Sequence, residues 1–274
     1  MRRTRFLTPV LILLASLSSA VYAQRGETPS SDPTVFKNPG QGYPGFFDTN
    51  FADKGSLVVE WPPVILPLTP MPSIAMDYGA TESLTIGTNA LVTTIPWLVG
   101  ARGLSFKARQ LIYSSETMRS AATVYGGYIG ASEFSMTYQM FTYNHSWKPA
   151  PRHIISGQAM YMNFGFESGK TASIDYTNLR LSTLSLGGGY QFILGERTAI
   201  SSYVLLPAIT SMEADTVGAN LSQNMDASSG KMTWGIARAS MDFRRERWTF
   251  SLGGIYMHGM IKNVLPWFSA ATRW

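Results

Sequence analysis

The sequence of 274 residues contains no cysteine. A disulfide framework is therefore excluded, and an exported chain of this composition must be held together by other means. Anchoring through a lipid-modified cysteine behind a signal is excluded as well. With no thiolate ligand, and no acidic residue at ligand spacing from a histidine, the sequence predicts neither a metal site nor a cofactor.

Charged residues are scarce, because Asp, Glu, Lys and Arg make up 14% of the chain, against about 25% in ordinary soluble domains. The formal net charge is +5, and the first 23 residues contribute three arginines and no acid, which leaves +2 for the remainder. A nucleic-acid-binding protein would carry a basic stripe or patch. The near balance of charge therefore argues against a nucleic-acid partner.

Long apolar runs are also missing beyond the N-terminus. Three early arginines precede the short apolar segment Phe6–Ala15, and the small-residue site Val21-Tyr22-Ala23 follows. This order predicts a secretory signal peptide over residues 1–23, cleaved before Gln24. A spanning helix needs about 20 apolar residues. A membrane location would therefore have to come from strands.

The rest of the chain divides at about residue 56. Residues 24–55 are rich in Pro, Gly, Ser, Asn and Asp, and we interpret them as an N-terminal tail of low order. Residues 56–274 instead show short segments in which apolar and polar residues alternate. Alternation with period two is typical of strands, whereas a helix would repeat at i, i+3, i+4 and i+7.

Four segments show the alternation best. The apolar faces comprise Leu104, Phe106 and Ala108; Phe134, Met136, Tyr138 and Met140; Leu184, Leu186, Tyr190 and Phe192; and Trp248, Phe250, Leu252 and Tyr256. The opposite faces include Ser105, Lys107 and Arg109; Glu133, Ser135, Thr137 and Gln139; Thr183, Ser185, Gly187 and Gln191; and Thr249, Ser251 and Gly253.

Connector lengths predict an antiparallel up-and-down β-barrel of about 12 strands. The candidate strands lie near 56–61, 71–77, 82–92, 103–113, 118–129, 133–145, 152–164, 179–194, 199–210, 231–242, 247–260 and 264–274. Short connectors such as Ser146–Pro151 alternate with long ones, namely Thr93–Arg102, Gly165–Asn178 and Ser211–Gly230. In an outer-membrane barrel the strands are connected by short periplasmic turns and by longer extracellular loops.

The C-terminus adds a resemblance. The chain ends on Trp274, with Phe268 and Ala270 on the same predicted face, and the hairpin Ile74–Gly87 has a strand-turn-strand pattern. In these features residues 56–274 resemble bacterial outer-membrane β-barrel proteins as a broad class. The resemblance implies that Phe268 and Trp274 form an assembly signal read by the barrel-assembly machinery. It also implies outer-membrane lipid as the other partner.

A soluble periplasmic β-sandwich that acts as a binding module is the alternative fold, since its strands alternate too. The proposed outer face carries aromatic residues, as in the interfacial girdles of a barrel. The proposed inner face carries Ser, Thr, Gly, Gln and charge, which would make a poor sandwich core. The barrel is therefore favoured.

No catalytic motif stands out. His145 and Ser146 lie beside Asn144, a set that resembles the Asn, His and Ser of outer-membrane phospholipases and deacylases. Adjacent strand residues point to opposite faces, and this dipeptide falls at a predicted periplasmic turn. A membrane-embedded acyl hydrolase is thus only an alternative to a non-enzymatic surface barrel or narrow pore. The glycines Gly187-Gly-Gly189 are interpreted as relieving crowding in a curved sheet.

Charges predicted to face the lumen are the remaining candidates for function. They are Lys107, Arg109, Arg119, Glu133, Arg238 and Asp242, with Asp77 as a further possible partner. An open basic path would favour anions. In a narrow barrel the same side chains would instead fill the interior by pairing with one another, and we favour that second interpretation.

Overall fold

The computed structural model describes residues 52, 54–61, 74–98, 100–115, 117–131, 134–168, 176–195, 197–218, 221–227, 235–245, 248–258 and 263–274. The predicted signal peptide and almost all of the N-terminal tail lie outside these ranges, as does Glu133. The strands are β1 Leu57–Trp61, β2 Ala75–Gly79, β3 Leu84–Asn89, β4 Arg102–Ser114, β5 Met118–Gly130, β6 Phe134–Ala150, β7 His153–Ser168, β8 Tyr176–Gly195, β9 Thr198–Gly218, β10 Leu221–Ala227, β11 Gly235–Arg245, β12 Trp248–His258 and β13 Leu265–Arg273, with one helix, α1 Ala90–Leu98, between β3 and β4.

Twelve of the strands close into an antiparallel barrel, which confirms the predicted fold class. Consecutive strands pair from β1 to β9, β9 then pairs with β11, and β13 returns to β1. Strand β10 stands outside this circle, because it pairs with the distal half of β9. Closure leaves no pair of stacked sheets, so the sandwich alternative is wrong.

The barrel has two unlike ends. At one end, here called the turn end, the connections span residues 80–83, 115–117, 151–152, 196–197 and 246–247. The first and last strands also meet there, since the Leu57 amide donates to the Trp274 carbonyl at 3.0 Å. The opposite end, here called the loop end, carries α1, β10 and the connection 131–133.

The outer surface of the barrel is apolar. Exposed large side chains occupy alternate positions of successive strands, including Leu104, Phe106, Tyr128, Phe141, Trp147, Tyr161, Leu186, Tyr190, Val204, Trp248, Leu252, Tyr256, Phe268 and Trp274. An apolar band flanked by aromatic rings is the lipid-facing surface of a membrane barrel. Among the described residues, no helix has the length and apolar character needed to cross a membrane.

The predicted faces of β4, β8 and β12 are confirmed, but that of β6 is wrong. Met136, Tyr138 and Met140 point inward, while Thr137 and Gln139 are exposed on the outside. The pairing of Thr123 with the fully buried Thr142 fixes this orientation. The apolar residues of this segment were predicted to face lipid, but they pack against other apolar side chains in the barrel interior.

Several predicted connectors are partly ordered elements. Residues 90–98 form α1 where the end of one predicted strand and the start of a long loop were expected. The connector Ser211–Gly230 contains the end of β9 and all of β10, which extend as a hairpin. The connector Gly165–Asn178 is shorter than predicted, since β7 runs to Ser168 and β8 begins at Tyr176. In the second and third cases strand pairing continues through residues that were predicted to be loops.

Candidate functional site

The barrel interior contains a buried ion pair on the β2–β4 wall. Asp77, Gly87 and Lys107 lie side by side on three successive strands. A Cβ at Gly87 would meet the Asp77 carboxylate at 2.0 Å, so the missing side chain leaves the path over β3 open. The Lys107 ammonium donates across that path to Asp77. It also lies 5.4 Å from the ring centre of Tyr125 and interacts electrostatically with Glu60.

The neighbouring arginines point to the interior as well. Arg109 lies in the next row toward the turn end, between Thr85 and Thr123, and interacts electrostatically with Tyr125. Arg119 is on β5 near the turn end, beside Ser146 of β6. These cations therefore line the same wall, at successive heights.

A second polar group lies on the opposite wall. Asp242 of β11 accepts hydrogen bonds from Ser201, from Ser240 at 3.1 Å and from Gln191 at 3.3 Å. Arg238 is buried four residues before Asp242 on the same face of β11 and interacts electrostatically with it. Thus Arg238 interacts electrostatically with Asp242, Lys107 forms an ion pair with Asp77, and Arg109 interacts electrostatically with Tyr125.

A hydrogen bond from Tyr203 spans one strand to reach Gln158. The Tyr203 hydroxyl donates to the Gln158 side chain across β8. A Cβ at Gly187 would lie 2.1 Å from that hydroxyl. Gly187, which was predicted to relieve crowding, therefore leaves room for the Tyr203 side chain to cross β8.

The interior also contains an apolar cluster toward the loop end. A buried cluster joins residues of β7, β9, β11 and β12, with Met140 and Leu181 packed against it: Met160, Met162, Tyr203, Leu205, Ile236, Ile255 and Met257. Burial of large apolar side chains on the inner face of a membrane barrel departs from the water-filled interior of porins. This cluster was not predictable from alternation alone, since polar residues were expected on every inner face.

Helix α1 folds against the inner wall at the loop end. Val92 packs with Ile129 and Met136, both of which point inward. The helix rests on Gly103, where a Cβ would lie 2.0 Å from the Val92 carbonyl oxygen. Asn89 begins the helix by accepting from the Val92 amide at 3.3 Å, as an N-cap does.

The histidine and serine considered for hydrolysis do not meet. His145 and Ser146 lie within β6 rather than at a turn, because β6 continues to Ala150. Ser146 points inward and is buried, whereas His145 Nδ1 lies 2.7 Å from Ser120 Oγ on the outer face.

The Ser120–His145 pair lacks the surroundings of a catalytic site. In the described ladder the adjoining outward positions are Met118, Ala122, Tyr143, Trp147 and Gly157. None of these side chains is a carboxylate or amide able to orient the ring, which a serine nucleophile with a histidine base requires. The two polar groups satisfy each other on an apolar wall.

Comparison with known proteins gives similarity in fold. No protein-family model and no curated protein matches the sequence. Among solved structures, the siderophore receptor PirA from Acinetobacter baumannii has 9% identity and a TM-score of 0.41, over 79% of this chain and 40% of the receptor. The CymD monoaromatic hydrocarbon channel has 8% identity and a TM-score of 0.42, over 81% and 89%. The translocator domain of the autotransporter NalP from Neisseria meningitidis has 8% identity and a TM-score of 0.34, over 80% and 84%.

The chain thus spans less than half the length of the siderophore receptor. The closed sheet and the apolar outer surface are features of a transmembrane β-barrel. The chain forms a closed antiparallel β-barrel, and its structural neighbours are outer-membrane β-barrels.

Proposed function

We propose that this barrel is a non-enzymatic outer-membrane protein whose lumen is filled at mid-height by its own side chains. No continuous aqueous channel then runs along the barrel axis. The role that follows is structural or at the cell surface, rather than that of a diffusion pore for ions.

The burial of long interior side chains carries this proposal. Arg109 and Tyr203 expose 1% of their surface, and Met160 and Leu205 expose none. These residues come from three strands, and a water-filled channel at this height would leave their tips accessible. Side chains fill barrels of about 8 strands, while barrels of about 16–18 strands leave a channel. Twelve strands lie between these cases, and here packing closes the space.

The proposal also includes an assignment of the two barrel ends to the two sides of the membrane. The turn end, with its short connections and both barrel termini, belongs in the periplasm, and the loop end outside the cell. This orientation is consistent with export through a signal peptide over residues 1–23, cleaved before Gln24.

The proposal is tested by single-channel recording in a planar lipid bilayer. We expect the folded protein to insert without producing stable conductance steps, since the interior packing excludes ions. A change of gel mobility on boiling shows that the inserted protein is a folded barrel. Truncation of Tyr203 to alanine should produce a small conductance, whereas Leu206→Ala, on the outer face, should stay silent. A large stable conductance from the unaltered protein would contradict the filled lumen.

A second prediction concerns assembly. We propose that Trp274 and Phe268, both exposed on the outer face, present the terminal-strand signal to the barrel-assembly machinery. Deleting Trp274 should lower the folded yield in cells, and the lost burial in lipid amounts to about 1–3 kcal/mol. Trp274→Phe keeps an aromatic ring and should retain most of the yield. Equal folded yields for the deletion and the parent, measured by heat-dependent gel mobility, would rule out this role.

A further inference from the structure

The connections at the turn end differ in charge from one side of the barrel to the other. Those between β6 and β7, β8 and β9, and β11 and β12 follow one another around the rim, because β9 pairs directly with β11. Residues 148–152, 195–198 and 243–248 include six basic and two acidic residues: Lys148, Arg152, Arg197, Arg244, Arg245, Arg247, Glu196 and Glu246. Connections 80–83 and 115–117 include Glu82 and Glu116 and no basic residue. The excess of positive charge among the turns is therefore one-sided.

Each of the three basic connections presents an exposed arginine, namely Arg152, Arg197 and Arg245. Neighbouring connections are two strands apart, which corresponds to roughly 10 Å along the rim. Arg245 lies on the outer face, since it is the ladder partner of Trp248, which is exposed there. Arg152, Arg197 and Arg245 are here called the arginine rim.

Aromatic side chains on the outer face lie next to the arginine rim. At the β6–β7 connection, the ring centre of His153 lies 5.1 Å from that of Phe192, and His153 Nδ1 lies 2.6 Å from the Tyr190 hydroxyl. At the β11–β12 connection, Trp248 stacks on Phe250 with ring centres 5.7 Å apart. Aromatic rings at the ends of membrane strands lie at the level of the lipid headgroups. The arginine rim is therefore at the height of the headgroup phosphates.

The chemistry of the rim distinguishes between headgroups. A guanidinium group offers a fork of N–H donors that matches the oxygens of a phosphate. Basic residues close to a bilayer are attracted by anionic lipids. In a zwitterionic headgroup the phosphate is accompanied by an ammonium group, which an arginine repels. The rim therefore favours a phospholipid whose headgroup carries a net negative charge.

We propose that the arginine rim binds the headgroup phosphates of anionic phospholipids and so gathers these lipids along one side of the barrel. The inference rests on the insertion of the barrel in a bilayer, and it is independent of whether the lumen is filled. The aromatic rings set the depth of the rim, and the arginines select the charge of the lipid beside it.

The test measures the quenching of tryptophan fluorescence by brominated lipids in the folded full chain, reconstituted in phosphatidylcholine vesicles. Exposed Trp147 and Trp248 report on the turn end. At equal fractions, we expect brominated phosphatidylglycerol to quench more strongly than brominated phosphatidylcholine. The triple variant Arg152→Gln/Arg197→Gln/Arg245→Gln should be quenched equally by both. Salt at 1 M shortens the screening length to about 3 Å and should weaken the preference of the parent.

Arg180→Gln is the matched control, because Arg180 is an exposed arginine of β8 far from the turn end. This variant should keep the preference of the parent. Heat-dependent gel mobility shows that each variant is folded. If the triple variant does not fold, Arg197→Gln changes a single turn residue and should lower the relative affinity for phosphatidylglycerol by up to about fivefold, whereas Arg197→Lys keeps the charge and most of the affinity.

Equal quenching of the parent by the two lipids would overturn the inference, and so would an unchanged preference in the triple variant. Both results would leave the barrel itself in the bilayer, because each lipid still quenches. Absence of quenching by either lipid would instead contradict insertion, and with it the proposed function.

Discussion

Replacing Lys107 by glutamine is expected to lower the free energy of unfolding by about 3–5 kcal/mol, the range for breaking a buried ion pair from one side. Both partners are almost fully buried in the barrel interior. The variant leaves the Asp77 carboxylate without the ammonium that compensates its charge. Glutamine is similar in length, so the effect reports lost charge rather than lost volume.

The double variant Asp77→Asn/Lys107→Gln separates an ion pair from a general packing defect. It removes both charges, and replacing both partners of a buried pair is often nearly neutral. We therefore expect it to recover most of the stability that the single change loses. Lys54→Gln serves as the surface control, because Lys54 is exposed.

Urea titration of the protein in phospholipid vesicles measures these differences. If Lys107→Gln unfolds at the same urea concentration as the parent, the lysine does not fill the interior. A lost anion preference in bilayer recordings, with stability unchanged, would instead indicate an open basic path.

Replacing Gly103 by alanine is expected to release α1 from the inner wall. The added Cβ would lie 2.0 Å from the Val92 carbonyl oxygen and 2.6 Å from the Pro96 ring. Backbone atoms of the helix cannot yield locally, so the helix must move as a unit. Val92 then loses its contact with Ile129 and Met136, and its burial alone contributes about 1.5–3 kcal/mol.

Limited chymotrypsin digestion of the folded barrel measures this release. Trp97 and Leu98 should become cleavable in Gly103→Ala at protease concentrations that leave the parent intact. Gly157→Ala is the matched control, because no atom lies within 4 Å of a Cβ added to that strand glycine. Cleavage at equal rates in all three proteins would show that the helix does not depend on this contact.

The strand pattern was predictable wherever one face of a strand meets lipid and the other meets polar side chains. Strands β4, β8 and β12 satisfy this condition, and their inward and outward residues follow from alternation alone. Strand β6 does not, because Met136, Tyr138 and Met140 face an apolar interior while Thr137 and Gln139 face outward. When both faces are mixed, period two gives the strand but not its orientation.

The interior charges were only partly predictable. Lys107 and Arg109 were predicted to face the interior, because they lie on the same side of the strand as Ser105. Asp77 was a candidate partner. Glu60 and Tyr125 were missed, because Tyr125 is a direct ladder partner of Lys107 only in the observed register of β4 and β5, and Glu60 lies beyond β2 and β3. The contact between Asp77 and Lys107 passes over a glycine of the intervening strand β3. A glycine flanked by long polar residues on neighbouring strands is the signal that would have indicated such a contact. No sequence period encodes it, since the register of β2, β3 and β4 must be known first.

Helix α1 was not predictable from local preference. The segment Ala90–Leu98 contains β-branched residues at four positions and Pro96 inside the helix, all of which lower helix propensity. Its conformation is selected instead by Asn89 at its start and by the flat surface that Gly103 provides. Tertiary contact overrides propensity here.

The unequal strand lengths give the rim of the barrel a slope. Strands β8 and β9 contain 20 and 21 residues, whereas β1 and β2 contain 5 each. At about 3.3 Å per residue, the long pair is roughly 65–70 Å from end to end, while a membrane strand needs about 9–11 residues to cross. The β8–β9 side of the barrel is therefore long enough to extend well beyond the lipid headgroups, whereas the described strands β1 and β2 are shorter than a membrane crossing.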